Sequence, residues 1–178
     1  HLVKASDTEV LVIEDQEQFD KIVDLGDRAP NLRKLIVIDP KGLRSETYLD
    51  LVSFDDLLAR GHVVLESHKA QIAARVAALA PDDTAMMVFT SGSTGLPKAA
   101  EISHANLHAG ACIAAQFFDG FPPGTNVLSY LPLCHIAEQN VTVTNALSGQ
   151  HVMNFGESLR TITPDLRDAA PQIFFGVP

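Results

Sequence analysis

The chain has 178 residues, 46% of them hydrophobic, so it is long and apolar enough to form one folded domain. Its 13 basic and 22 acidic side chains give a net charge of −9, and this overall field repels nucleic acid and anionic lipid. The apolar runs are far shorter than the ~18 residues that span a bilayer, so we expect no transmembrane segment. The two cysteines, Cys112 and Cys134, lack CxxC spacing, which indicates packed thiols in a reducing, cytoplasmic compartment.

The first third of the chain predicts a parallel β-α-β unit. Residues 9–13 form a short β-branched apolar run, and the helix that follows presents Phe19 and its apolar neighbours on one face. A second apolar run at residues 35–38 ends the unit, and such a crossover implies a parallel sheet. Beyond a surface loop we expect a short helix capped by Ser53, with Phe54, Leu57 and Leu58 facing inward, and a separate helix over residues 66–79.

The rest of the chain continues the alternation of strand and helix. The apolar run 85–89 predicts a central strand buried on both faces, and residues 99–102 also look extended. Ser103 is the expected N-cap of the next helix. The predicted elements from there on are a helix at 104–118, a strand at 127–133, a helix from His135, a strand at 151–155, a helix at 158–170 and a strand at 172–177. The implied fold is α/β, a mainly parallel sheet between layers of helices.

The stretch from Thr90 to Lys98, TSGSTGLPK, concentrates more hydrogen-bond donors than any other part of the chain. Its two glycines allow positive φ, so consecutive backbone N–H groups can turn toward one point, and its hydroxyls and ammonium favour an anion there. The stretch therefore predicts a phosphate-binding loop. Because extended residues follow it, we expect the loop to join two strands and to use no helix N-terminus.

Other interpretations of this loop are weaker. An ordinary turn also collects Ser, Thr and Gly for reasons unrelated to phosphate, but the complete string from Thr90 to Lys98 favours the phosphate loop. The spacing of Gly95 and Lys98 departs from the Walker motif, no GxGxxG occurs, and Gly92 and Gly95 do not frame a GxSxG elbow. A Ser/His hydrolase built from Ser91 or Ser93 with His135 lacks both the elbow and an identifiable acidic partner.

The loop resembles the phosphate-loop signature of the adenylate-forming enzymes, the superfamily of acyl-CoA synthetases, luciferases and peptide-synthetase adenylation domains. The following SHANL, residues 103–107, is similar to a segment just downstream of that signature. Two further strings, SYLPLCHIAEQ at residues 129–139 and FFGVP at residues 174–178, resemble the long-chain and very-long-chain, bubblegum-like fatty acyl-CoA synthetases. One departure is that Ala99 follows the lysine, where the family usually has glycine.

The resemblance implies roles for particular residues. The β- and γ-phosphates of ATP would lie on the phosphate loop, with Lys98 as a point charge on them. The loop residues concerned are Thr90, Ser91, Gly92, Ser93, Thr94 and Gly95. Thr90 would also contact Mg²⁺, and His135 would lie near the acyl carboxylate and the α-phosphate. Glu138 receives no firm role, because a helix N-terminus alone favours a carboxylate there.

The implied function is ATP-dependent activation of a fatty acid to acyl-AMP, followed by thioester formation with CoA. The alternatives are a non-catalytic nucleotide- or pyrophosphate-binding module and an adenylating enzyme for an aryl or amino acid. We expect residues 1–120 to form a first lobe and residues 121–178 to begin a second one, both within a partial N-terminal domain. The family's adenine, ribose and C-terminal lysine segments are not found, so this piece alone is expected to be inactive. The sequence indicates neither the length of the fatty acyl chain nor the oligomeric state nor a peripheral contact with membranes.

Overall fold

The computed structural model describes residues 1–43, 47, 49–90, 95–117 and 122–176, and these form two compact units. The first unit contains residues 1–79 and 91–99, and the second contains residues 80–90 and 100–178. The lobe boundary expected near residue 120 falls among residues 118–121, outside the described residues, so it stays a prediction.

The first unit is built on a parallel sheet of three strands in the order β1-β2-β3. After a short helix, α1 (Leu2–Ala5), the chain forms β1 (Val10–Ile13), α2 (Gln16–Val23) and β2 (Lys34–Val37), and later β3 (Asp50–Ser53). The predicted β-α-β unit is therefore confirmed. Asp15 caps α2, because its carboxylate accepts a hydrogen bond from Gln18 N at 3.2 Å.

The core of this unit lies where α2 packs on the sheet. Phe19 of α2 is fully buried, and it clusters with Leu35 and Val37 of β2 and with Ile13 at the end of β1. Burying one such side chain stabilises the fold by roughly 1.5–3 kcal/mol. The strand β3 was not predicted, since its sequence, DLVS, offers only two apolar residues to mark it.

One long helix, α3 (Phe54–Ala77), replaces the two helices that the sequence predicted. Ser53 caps it as expected, accepting a hydrogen bond from Asp56 N at 3.0 Å. Gly61 lies inside the helix, where it costs about 1 kcal/mol relative to alanine without ending it. Leu57 and Leu58 are exposed and so is Phe54, so the prediction that these three face inward was wrong.

The chain next forms a two-stranded sheet of β4 (Thr84–Thr90) and β5 (Lys98–Ser103), followed by α4 (His104–Phe117), and β4 and α4 belong to the second unit. The extended segment after Lys98 and the helix after Ser103 are thus confirmed. Along β4 only Val88 is buried, and Met87 is exposed, so the prediction of a strand buried on both faces was wrong. The physical reason is that β4 pairs only with β5 among the described strands.

A second parallel pair, β6 (Asn126–Ser129) and β7 (Val152–Phe155), forms the other half of this unit. A continuous helical segment connects them, made of α5 (Ile136–Glu138), a π-helix (Gln139–Asn145) and α6 (Ala146–Gly149), and α7 (Ile162–Ala169) follows β7. The predicted strand 127–133 ends early, at Ser129. The last predicted strand is reduced to a single parallel bridge between Ile173 and Val127.

Both cysteines are exposed, which corrects the expectation of packed thiols. Cys112 lies on α4 with Sγ 3.7 Å from His108 Nδ1, and Cys134 lies in the turn before α5. Apolar neighbours along the sequence do not fix which face of an element a side chain takes. In the part of the chain described, no helix is both long and apolar enough to cross a membrane.

Candidate functional site

The phosphate loop is described at its two ends. Thr90 is the exposed last residue of β4, and Lys98 is the exposed first residue of β5. Gly95 has φ +114°, a conformation that side-chain-bearing residues rarely adopt, so this glycine takes the positive φ that the sequence predicted. Ser91, Gly92, Ser93 and Thr94 lie outside the described residues. None of the ion pairs among the described residues involves Lys98.

The N-terminus of α4, which follows β5, is occupied by the protein's own acceptors. His104 N donates to Asp83 O at 3.2 Å, and Ala105 N donates to Pro81 O at 2.8 Å. Asn106 N donates to Ser103 Oγ at 3.2 Å, and Ser103 N donates to Asn106 Oδ1 at 3.1 Å. The first N–H groups of α4 are thus satisfied internally, which agrees with a phosphate loop that uses no helix N-terminus.

The same contacts explain part of the SHANL string. Ser103 and Asn106 form a reciprocal capping box, with asparagine in the place where glutamate or glutamine is usual. These two side chains therefore start the helix, and nothing in their geometry requires a ligand.

His135 is the N-cap residue of α5 and its ring is exposed. Its backbone is fixed at both ends, because His135 N donates to Pro132 O at 3.0 Å and His135 O accepts from Gln139 N at 3.1 Å. The side chain does not cap the helix. An exposed imidazole on a constrained backbone can donate a hydrogen bond to a developing negative charge.

Glu138, three residues after His135, is a buried carboxylate that the sequence left without a role. Its side chain is only 2% exposed. One oxygen, Oε1, accepts hydrogen bonds from Ser129 Oγ at 2.5 Å and from the hydroxyl of Thr142. The other, Oε2, accepts from Leu131 N at 3.3 Å. The carboxylate therefore connects the end of β6, the loop after it and the π-helix.

The segment after β6 also contacts the segment near residue 174, so the two strings that resembled fatty acyl-CoA synthetases meet in space. The rings of Tyr130 and Phe174 stack with centroids 5.1 Å apart. The Tyr130 hydroxyl donates a hydrogen bond to Phe175 O at 2.9 Å. Val177 and Pro178, the end of the second string, lie outside the described residues.

A mainly apolar cavity of about 750 Å³ lies within the second unit. Its walls come from α4, from the helical segment after His135, from β6 and from the segment near residue 174. They include Ile113, Ala114, Val127, Val141, Ile173 and Phe174. The volume falls within the ~300–1,000 Å³ typical of ligand pockets. Its polar lining includes Asn140 and His151, and burial lowers the pKa of His151 below its ordinary value.

The predicted site residues divide between the two units. Thr90 and His135 belong to the second unit, and Gly95 and Lys98 belong to the first. The sequence missed Glu138 and Tyr130. The burial of Glu138 had no sequence signal, because a carboxylate in the first turn of a helix is already favoured by the helix dipole. No signal marked Tyr130 either, because its partners are more than 40 residues away.

The family model described as AMP-binding enzyme matches residues 1–178. The chain therefore belongs to the AMP-binding enzyme family, which confirms the resemblance to adenylate-forming enzymes.

Among curated proteins, the chain is 30% identical over 186 residues to the long-chain-fatty-acid–CoA ligase heimdall of Drosophila melanogaster. It is 25% identical over 181 residues to the long-chain-fatty-acid–CoA ligase ACSBG2 of Homo sapiens. Both matches cover 100% of this chain, but only 27% and 26% of those proteins. The chain thus spans about a quarter of the length of these relatives.

Solved structures show the same fold. The A-PCP didomain of a carboxylic acid reductase from Segniliparus rugosus, in complex with AMP, matches with a TM-score of 0.72 at 22% identity, covering 99% of this chain and 26% of that one. The adenylation domain of a carboxylate reductase from Mycobacterium chelonae matches with a TM-score of 0.67 at 20% identity, covering 97% and 28%. The predicted α/β fold of an adenylate-forming enzyme is confirmed.

Proposed function

We propose that this chain is part of a long-chain fatty acid–CoA ligase and contributes to its ATP and fatty-acid sites. In the first step an oxygen of the fatty carboxylate attacks the α-phosphorus of ATP, and pyrophosphate leaves to give acyl-AMP. In the second step the thiol of CoA attacks the acyl carbonyl and loses its proton, and AMP leaves to give the thioester. Fatty acid, ATP and CoA are the proposed substrates.

The apolar cavity is the observation that carries the fatty-acid assignment. Its lining is mainly aliphatic and aromatic, and the helical segment that begins just after His135 forms part of it through Ala137 and Val141. An alkyl chain is stabilised there by roughly 0.8 kcal/mol for each buried CH₂ group. The named relatives, both long-chain-fatty-acid–CoA ligases, favour the same substrate class over an aryl or amino acid.

In this proposal the phosphate loop offsets the negative charge of the ATP phosphates. Thr90 to Gly95 bind the β- and γ-phosphates through backbone N–H groups and hydroxyls, and Lys98 contributes a compact positive charge. The described ends of the loop fit such a ligand, since Lys98 is exposed at the start of β5 and Gly95 has the positive φ of a turn. No part of this role requires the occupied N-terminus of α4.

Mg²⁺ is the proposed metal. Thr90 offers it one exposed hydroxyl oxygen at the end of β4, which is a suitable hard ligand, and phosphate oxygens and water would supply most of the rest. The metal would neutralise charge on the leaving pyrophosphate. His135 would donate a hydrogen bond to negative charge that develops around the carboxylate and the α-phosphate.

The cellular compartment and the division of the chain into lobes are also proposed. We propose a cytoplasmic enzyme without nucleic-acid partners, with residues 1–120 as a first lobe and residues 121–178 as the start of a second. The 178-residue piece alone is expected to release no pyrophosphate from ATP and fatty acid.

Fatty-acid-dependent ATP–pyrophosphate exchange tests the function in the intact protein that contains this chain. Exchange should rise with saturated acids of increasing length and stay near background with benzoate and with amino acids. Removing Mg²⁺ with a chelator should abolish the exchange. If no carboxylate supports exchange, the synthetase proposal is wrong, and retained binding of pyrophosphate would then favour a non-catalytic module.

Substitution of Lys98 links the reaction to the phosphate loop. Lys98→Met should raise the KM for ATP about tenfold, because a charge-assisted hydrogen bond to phosphate is worth roughly 1.5–3 kcal/mol, whereas Lys98→Arg should lose less. Lys69→Met is the matched control, since Lys69 is an exposed lysine of α3 paired with Glu66. An equal effect of Lys69→Met and Lys98→Met would remove Lys98 from the proposed site.

A further inference from the structure

Glu138 is a buried acid that the proposed chemistry does not use. Burying a carboxylate is costly unless donors satisfy it, and here Ser129, Leu131 and Thr142 do so. None of the ion pairs among the described residues includes Glu138. The carboxylate is therefore held entirely by hydrogen bonds, two from hydroxyls and one from a backbone N–H.

These donors come from three consecutive pieces of structure. Ser129 is the last residue of β6, Leu131 begins the loop that leads to His135, and Thr142 lies one turn further along the helix. Glu138 thus holds the start of this loop, where the chain leaves β6, against the helix that follows the loop.

The same loop is held at two further points. Gln139, the neighbour of Glu138, donates from Nε2 to Leu133 O at 2.6 Å, and His135 N donates to Pro132 O at 3.0 Å. The backbone of residues 131–135 is thereby restrained at its start, its middle and its end. His135 is exposed as a side chain, but its Cα position depends on these restraints.

We propose that Glu138 is a positioning residue that holds the 131–135 loop, and through it the His135 imidazole, in the geometry that the reaction needs. This inference rests on the proposed function for its kinetic consequence. Its structural part, the restraint of the loop by the carboxylate, can be tested separately.

Glu138→Gln is the sharpest substitution, because it keeps the size and the acceptor for the two hydroxyls. Its amide nitrogen donates where the carboxylate oxygen accepted, so either Leu131 N loses its acceptor or the two hydroxyls must turn to accept, and in both arrangements the charge that strengthens these hydrogen bonds is lost. A shift of about 1 Å in a catalytic group can lower the rate of the chemical step about 10²-fold. We expect kcat for acyl-AMP formation to fall by about 10- to 100-fold, with the KM for ATP changed less than about threefold.

A double-mutant cycle with His135→Ala separates positioning from general stabilisation. If Glu138 acts through His135, Glu138→Gln should lower kcat less than about twofold in the His135→Ala background. The same fold loss in both backgrounds would overturn the proposal, and so would an unchanged kcat in Glu138→Gln. Glu66→Gln, an exposed glutamate of α3, is the control and should leave kcat unchanged.

Hydrogen–deuterium exchange tests the restraint without any activity. The backbone amides of Leu131 and of residues 133–135 should exchange faster in Glu138→Gln than in the unmodified protein, while those of β1 and β2 stay unchanged. Unchanged exchange in the loop would overturn the proposal. If the unmodified protein activates no carboxylate but exchange still rises, the proposed function fails and the restraint stands.

Ser129→Ala and Thr142→Val extend the test should Glu138→Gln fold poorly. Each removes one hydroxyl donor from the carboxylate and leaves Leu131 N paired. We expect a smaller loss of kcat from each, of about two- to tenfold, which is again lost in the His135→Ala background. Equal losses in both backgrounds would contradict a positioning role.

Discussion

Gly110 of α4 lies directly against Asn140 of the π-helix. A Cβ added to Gly110 would stand 3.3 Å from Asn140 Oδ1, which is tighter than most contacts of a real Cβ, and at an ordinary contact distance of 3.5 Å from Nδ2. Both residues line the apolar cavity. Asn140 Oδ1 is buried and has no hydrogen-bond partner among the described residues, so the carboxamide is held against α4 by packing. The absence of a side chain at Gly110 therefore sets how close these two walls approach.

Enlarging Gly110 tests the proposal that the cavity holds the acyl chain of a fatty acid. Gly110→Val should displace Asn140 or fill the cavity, so kcat/KM should fall tenfold or more for a 16-carbon acid and less than threefold for an 8-carbon acid. Ala109→Val is the matched control, because Ala109 is an exposed neighbour on the same helix. A uniform loss at every chain length would show that the cavity does not hold the acyl chain.

The capping box at the start of α4 is expected to act on stability. Ser103→Ala removes the acceptor of Asn106 N, and loss of an N-cap costs about 1 kcal/mol. Asn106→Ala removes the reciprocal acceptor of Ser103 N and should cost a similar amount. Because the two contacts depend on each other, the double variant should lose less than the sum of the single losses.

Urea unfolding of the intact protein measures these changes as shifts of the midpoint. Ser67→Ala is the comparison, since Ser67 lies within α3 and, among the described residues, its hydroxyl bonds to Val64 O and to its neighbour His68. A Ser103→Ala midpoint equal to that of Ser67→Ala would contradict the capping role.

The sequence predicted the local elements well where one residue type had one clear role. Ser53 and Ser103 each start a helix as predicted, because an N-cap requires a short oxygen-bearing side chain and few residues supply one. The positive φ of Gly95 could also be foreseen, since only glycine adopts it without strain.

Features that depend on distant partners could not be predicted in this way. The burial of β4 depends on which strands pair with it, and its apolar sequence alone implied a central position. Similarly, the sequence predicted two helices in this region, one capped by Ser53 and one over residues 66–79, yet α3 continues through Gly61 at a modest cost in free energy.

In the candidate site, too, features set by local sequence could be predicted and features set by distant partners could not. His135 and Lys98 became candidates because they lie in strings with a recognisable order, whereas the environment of Glu138 depends on Ser129 and Leu131 folding back onto it. The burial of Glu138 is a tertiary property. A glutamate in the first turn of a helix is usually solvated, so its sequence position favoured the wrong environment.

The contact between Tyr130 and the segment near residue 174 should stabilise one wall of the cavity. Tyr130→Phe keeps the stacked ring on Phe174 but removes the hydrogen bond to Phe175 O, which is worth about 1 kcal/mol. Tyr130→Leu also removes the stacking, worth about 0.5–1.5 kcal/mol more. The KM for a long-chain acid should rise in that order, while the KM for ATP stays constant. Parallel increases in both constants would instead indicate a general loss of structure.

The lowered pKa of His151 predicts how the stability of the folded protein changes in acid. Burial lowers its pKa below the ordinary value of 6.5, so the folded state binds fewer protons than the unfolded state between the two values. Stability must then rise with pH across this window and be lost as pH falls below 6.5. We expect the thermal midpoint to drop between pH 7 and pH 5, and to drop less in His151→Gln, which cannot be protonated. Gly149 packs so closely that a Cβ there would lie 2.2 Å from His151 Nε2, so the ring has little room to move toward solvent on that side. An equal drop in both proteins would show that His151 does not contribute to the acid sensitivity.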